Sequence, residues 1–413
     1  MNILLISGRC DVPSAITICM DNLAKEYIQR GYKVWMINYG KSNEEFADQI
    51  LNIPTCVIKH NFYTSVLEYR VAHSDLLSKM VFSIITLFRH LFLAPFFPNV
   101  APFCSIRVFK KVNKLIKDNK IDIVVCPYHE YENIYTAMKL KKKYGNSIKV
   151  VTYHMDIRTV SGHSLGFVRK YVKKRALNSI VKESKLVDKI LVPYTGKEEM
   201  DSIEELDHKK IAYVGFPVFV PMQENQSTCS TPFYNERIDI AYIGTLSMTN
   251  RPPLYFLNII ERIITEYNMN IKVHFWGRLE DSESMEVLKK FPCAEYHGLL
   301  DIEYTTYMLS KSDLILSIGN QITPHMLPSK LFSTFALGKT IICVINNPED
   351  ASLSYITLYD NTINIMAYKN NMDEDVKYLT SKLQSVNSVD PNLIKERFIG
   401  FTPSYICDII QGS

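Results

Sequence analysis

The 413-residue chain has no CxxC pair, no GxGxxG loop and no unbroken apolar run long enough to cross a bilayer. Its nine cysteines, at 10, 19, 56, 104, 126, 229, 293, 343 and 407, are odd in number. A zinc ribbon or a disulfide framework needs paired spacing, so these read as reduced thiols in a cytosolic protein. The first loop, GRCDVPSA (Gly8–Ala15), holds one glycine only. A dinucleotide fingerprint needs three, so NAD binding is disfavoured. MNILLISG lacks the basic start and small-residue cleavage site of a signal peptide and reads as a strand. The net charge of +4 is too mild to argue for nucleic acid. No cluster of aspartates follows a strand; IDI at 121–123 carries a single Asp.

What is present is a globular α/β composition, with 47% hydrophobic and 22% charged residues. Apolar runs alternate with helical periods. The first series is strand 2–7, helix 14–30 stopped by Gly31, strand 33–38, strand 121–126, helix 134–144, strand 148–154, helix 166–189, strand 189–194, helix 197–205 and run 211–219. Residues 221–236, PMQENQSTCSTPFYNE, have no apolar period and read as a linker. A second series follows: strand 238–244, helix 254–267, strand 271–277, helix 282–290, run 294–300, helix 301–310 and strand 314–318. The domains are therefore 1–220, a linker at 221–236, 237–390, and a C-terminal helix at 391–413 (Pro391–Gln411) that packs back on the N-terminal domain.

Two stretches carry the functional reading. HMLPSKLFSTFALGKTII (His325–Ile342) gives a loop, a helix from Lys330 to Leu337, a glycine stop at Gly338 and a strand. Pro328 and Ser329 suit a helix start, where free backbone N–H groups bind anions. The bland alternative is one more βαβ unit with nothing bound. Met80–Phe103 is apolar and aromatic but broken by Arg89, His90, Pro95 and Pro98. Residues 76–120 hold eight Lys/Arg and one acidic residue, Asp118. A core-packed helical hairpin is one reading. Contact with an anionic membrane through 80–120 is the favoured one, because its length and prolines do not suit a simple buried helix. His154 ends a strand, where an open parallel sheet faces its ligand; a buried structural histidine is the alternative.

Together these features resemble GT-B glycosyltransferases, most closely the retaining family 4 type of polysaccharide biosynthesis. The resemblance rests on YIGTLS (Tyr242–Ser247), YHGLL (Tyr296–Leu300), PSKLF (Pro328–Phe332) and TYHMD (Thr152–Asp156). It implies an α/β fold of two Rossmann-like domains facing across a crevice. It implies transfer from a UDP- or GDP-sugar to a glycan or lipid-linked acceptor, with no cofactor, no metal and no nucleic-acid partner. The enzyme would be cytoplasmic and peripheral at the inner face of the cell membrane. The resemblance assigns His154 and His325 to the donor sugar and Arg251 and Lys330 to the phosphates. Gly244, Thr245, Trp276, Gly298, Leu299, Pro328, Ser329, Leu331 and Ser333 would hold the nucleotide. The family's two glutamates, eight apart, fall on His325 and Ser333 here, and no glutamate occurs from Tyr304 to Asn347. That departure keeps open a catalytically degenerate GT-B binding subunit. A GT-B sugar-nucleotide epimerase is a further alternative, weakened by the greasy basic segment.

Overall fold

The computed structural model describes residues 1–9, 14–41, 44–47, 52–72, 76–92, 96–128, 131–155, 166–220, 237–300, 302–324, 329–383, 389 and 391–412. The chain forms two compact units, Met1–Pro217 with Gly400–Ser413, and Val218–Ile399. The linker at 221–236, His325 and Pro328 lie outside the described residues.

The first unit is built on eight strands: β1 Asn2–Arg9, β2 Lys33–Gly40, β3 Glu44–Ala47, β4 Pro54–Lys59, β5 Ile123–Tyr128, β6 Lys149–His154, β7 Lys189–Pro193 and β8 Ile211–Val214. Their order is β3-β4-β2-β1-β5-β6-β7-β8. All neighbours are parallel except β3 and β4. Ile3, Leu4, Leu5, Ile6, Val124 and Val125 have no exposed surface. Helices on both faces of a parallel sheet bury every position, so such strands read as unbroken apolar runs. β3 and β4 lie in a stretch for which the sequence reading predicts no strand. The first helix, Ala15–Gln29, is capped by Ser14, whose Oγ accepts from the Thr17 N–H. It buries Ile16, Cys19, Met20, Leu23, Ala24 and Tyr27, a stripe at helical spacing. Gly31, at φ +79°, ends the turn.

Residues 76–120 form helices Leu76–Phe92 and Pro102–Asn119. The second buries Cys104, Val108, Val112 and Ile116 in the core. The first presents Leu77, Met80, Val81, Ile84, Leu87 and Phe88 to solvent, each more than 40% exposed. Its other side meets the helix Phe62–Ala72, where the Tyr63 ring packs at a tilt against Phe82 and Arg70 lies over the same ring. Phe97, in the same apolar stretch, is buried. No described helix is long and apolar enough to cross a membrane.

The second unit holds β9 Ile238–Ile243, β10 Ile271–Trp276, β11 Ala294–Tyr296, β12 Leu314–Ile318, β13 Ile341–Val344 and β14 Thr362–Ile365. The order β11-β10-β9-β12-β13-β14 is parallel throughout. The chain grows outward from β9 through β10 to β11, then returns to the other side of β9 for β12. Strand order therefore reverses between β9 and β12, which opens a switch point at their carboxyl ends.

Five expected helices differ: helix 134–144 begins at Tyr131, and helix 166–189 ends at Leu186. Lys330–Leu337 is Ser329–Phe335, seven residues long, with Gly338 at φ +68°. Lys197–Glu205 closes at Asp201. Pro391–Gln411 is not one helix but Pro391–Arg397, a 3-10 turn at Ile399–Phe401 and Pro403–Gln411. Proline has no N–H to continue a helix and pushes the residue before it into extended backbone. Thr402 sits there, at φ −85°, ψ 140°, and caps the next helix by accepting from Tyr405 N–H. The break is where the chain leaves the second unit and rejoins the first.

Candidate functional site

Four strands of the second sheet end in glycine: Gly244 after β9, Gly277 after β10, Gly298 after β11 and Gly319 after β12. Each is needed for a local reason. The Tyr242 hydroxyl tucks under Gly244, 2.6 Å from where a Cβ would stand, and donates to the Thr245 carbonyl at 2.9 Å. A Cβ on Gly277, at φ +126°, would lie 1.9 Å from the Gly244 carbonyl oxygen. Backbone bonds link the row: Gly244 N–H to Trp276 O, and Gly277 N–H to Gly298 O. Gly298 has φ +81°. The result is a rim of bare backbone along the carboxyl edge, where a ligand can approach the chain closely.

Arg251 lies beside this rim. Its short loop closes on itself, with Arg251 N–H donating to Ser247 O at 2.8 Å. Asp281 pins the loop by accepting from Met248 N–H, while its other oxygen caps the helix Ser282–Lys290 through Ser284. Burial alone would raise the Asp281 pKa; the hydrogen bonds from Ser284, Met248 and Ser247 outweigh it and hold the carboxyl below its ordinary value. The Arg251 Nε donates to Asn320 Oδ1 at 2.7 Å. Asn320, 1% exposed, follows β12, so this bond spans the switch point between β9 and β12. Asn250 reinforces it by donating to Asn320 and Thr323 and accepting from Ile322 N–H. Burial pushes the Tyr242 hydroxyl up to about 12, against a smaller opposing pull from Arg251.

Lys330, on the first turn of Ser329–Phe335, shares this environment. The residue keeps an exposed surface, but protein crowded around its ammonium lowers its pKa, and the positive charge of Arg251 lowers it further. Two cations that act on one another in this way favour a nearby anion. Leu331 is buried in the core and offers backbone only. Ser333 is exposed and its Oγ donates to the Lys330 carbonyl at 2.8 Å. Thr245 contributes its carbonyl to Tyr242. Leu299 is 81% exposed. Trp276 is 8% exposed, and its ring is stacked on His297 with centroids 4.5 Å apart.

In the first unit His154 ends β6 with 1% of its side chain exposed. Its Nε2 lies 2.9 Å from Oε1 of the fully buried Glu183, and its ring packs near Tyr128. Glu183 comes from the helix Gly166–Leu186, whose sequence gives no sign that it faces a histidine.

Sequence reasoning passed over Asn320, Gly277, Gly319 and Asp350. The strand-glycine-asparagine text LILSIGN was the available signal for two of them. Asp350 is 3% exposed; its Oδ1 accepts from Ser352, and its Oδ2 finds no hydrogen-bond partner among the described residues. That oxygen lies 2.3 Å from where a Gly319 Cβ would stand. A buried carboxylate therefore abuts the same sheet edge.

No protein-family model matches the chain, and no curated protein matches it in sequence. Solved structures do. A lipopolysaccharide outer core galactosyltransferase, WaaB in its apo form, is similar over 100% of this chain and 99% of its own, with TM-score 0.58 and 12% identity. The UDP-GlcNAc 2-epimerase of Methanocaldococcus jannaschii is similar over 100% of both chains, with TM-score 0.56 and 13% identity. The E. coli trehalose-6-phosphate structure bound with UDP-2-fluoro glucose is similar over 100% of this chain and 97% of its own, with TM-score 0.54 and 10% identity. Two Rossmann-like units, a switch point in the second and likeness along the full length show that the chain has the GT-B fold.

Proposed function

We propose that this protein is a glycosyltransferase that moves a sugar from a UDP- or GDP-sugar to a glycan or lipid-linked acceptor. The observation that carries the reading is the Arg251–Asn320 bond across the switch point, with Lys330 beside it and the glycine rim alongside. Breaking a glycosyl–phosphate bond leaves charge on the diphosphate. Fixed cations stabilise that charge without rearranging during the reaction. Arg251 and Lys330 are proposed as those cations, and no metal is needed for the transfer. Ser329, with Pro328 and His325 just before it in the sequence, belongs to the same proposal, as does a retaining course. That course rests on the resemblance of YIGTLS, YHGLL and PSKLF alone.

The test is nucleoside diphosphate release from a nucleotide-sugar panel, with membranes supplied and EDTA present. Release by the parent protein and loss by Arg251→Ala is expected. A hydrogen-bonded charge is worth about 1.5–3 kcal/mol, so kcat/KM should fall roughly 10- to 150-fold. No release with any donor would remove the reading. An epimerase is the second reading, because the M. jannaschii enzyme is as similar in fold as the transferases. An epimerase converts the nucleotide sugar itself without any acceptor, so an altered sugar nucleotide formed in a parallel assay with membranes left out would favour it.

A further inference from the structure

On the outer edge of the second sheet, His274, Glu295 and His297 share one face. His274 and Glu295 are partners in the β10–β11 ladder. His297 is two residues beyond Glu295, and side chains two apart on extended chain point the same way. Their donor atoms all lie within 4.8 Å of one another. His274 Nδ1 is 3.0 Å from His297 Nε2, and 3.9 Å from a Glu295 carboxylate oxygen. From the next strand, Asp239 reaches His274 Nε2 at 3.2 Å. A carboxylate there accepts a hydrogen bond from Nε2–H and leaves the Nδ1 lone pair turned toward His297. This is the arrangement that orients a metal-bound imidazole from behind.

We infer that these three side chains bind one divalent transition metal ion of the zinc type, with Asp239 as a positioning residue. Two imidazole nitrogens and a carboxylate suit such an ion at about 2.0–2.2 Å from each, with a fourth position open to water. Lys272 lies 3.6 Å from Glu295, and Arg237 pairs with Asp239, so the carboxylates are already held in place. The ion would tie the three-residue edge strand β11 to β10. It is not a participant in sugar transfer.

Trp276 provides the readout, since it stacks on both His274 and His297. Trp35 is the other tryptophan in the chain. In full-length Trp35→Phe protein, one equivalent of Co²⁺ should quench the remaining indole, and Zn²⁺ should displace it. Zn²⁺ should also raise the thermal midpoint. Glu295→Gln, a change at a half-exposed position, should weaken Zn²⁺ at least tenfold. Asp239→Ala should weaken it about 10- to 100-fold without moving the metal-free thermal midpoint. The His274→Gln/His297→Gln double variant should show neither the Zn²⁺-induced midpoint rise nor tight binding. Absence of saturable quenching in the parent overturns the proposal. So does Zn²⁺ affinity that the double variant and Glu295→Gln both retain. Because the probe is the metal alone, this result and the transferase assay can fail independently.

Discussion

Lys330 shows how one residue can tie the site to pH. Its pKa lies below the ordinary lysine value of 10.5 because burial and Arg251 both disfavour the charged form. A bound diphosphate favours that form, so binding takes up a proton wherever free Lys330 is deprotonated. Affinity for UDP or GDP should be full below the lowered pKa and fall as pH rises through it. Calorimetric titration across pH 7–10 should show that limb, and Lys330→Met should bind more weakly with the limb removed. An unchanged pH profile in Lys330→Met would separate Lys330 from the diphosphate. Residue chemistry at strand ends was partly legible in the text: Gly244, Gly298, Arg251 and Lys330 stand out as types. Asn320 and Glu183, the partners of Arg251 and His154, do not, because they lie 69 and 29 positions away and hydrogen bonding leaves no local pattern.

At the scale of elements, the glycine rim makes the firmest claim. Gly277 combines φ +126° with a backbone oxygen where a Cβ would go, and neither can be relieved by a side-chain shift. Gly277→Ala should cost at least about 1–3 kcal/mol, the usual cost of a forbidden backbone conformation, before the clash is counted. Urea unfolding followed by far-UV circular dichroism should show the loss. Gly145→Ala is the comparison, with positive φ but open space around it. A Gly277→Ala midpoint no lower than that of Gly145→Ala would mean the β9 and β10 ends are not in contact. Helix ends read less well than strands. Ser329–Phe335 is short, so cationic side chains and not a helix dipole carry the proposed anion seat. The C-terminal helix breaks because Pro403 outweighs the helical period around it.

For the whole molecule, the question is what the apolar face of Leu76–Phe92 covers. Residues 77, 80, 81, 84, 87 and 88 follow helical spacing, yet they face outward. Exposed Lys110, Lys114 and Lys117 follow on the next helix. An apolar helix face followed along the chain by exposed lysines suits an anionic leaflet. Flotation should carry the protein with vesicles rich in phosphatidylserine, less with neutral ones. Replacing Leu77, Ile84 and Phe88 by Asp should abolish it while leaving the thermal midpoint within about 1 °C, since exposed positions contribute little to stability. Failure of the parent to float would remove the expected membrane contact through 80–120.

Local pattern was enough for much of this. Apolar runs named most of the buried strands, and several element bounds follow directly from periodicity and caps, as in Leu254–Tyr267, Ser282–Lys290 and Leu314–Ile318. These are set by contacts within a few residues, which a sequence displays. Tertiary structure alone decided the order reversal between β9 and β12 and the meeting of His274, Glu295 and His297. It also qualified the stretch from His325 to Ile342. The proposed phosphate seat there belongs to Lys330 together with Arg251, some eighty positions earlier. Such pairings are chosen by sheet topology and packing between distant segments, and no spacing along the chain encodes them.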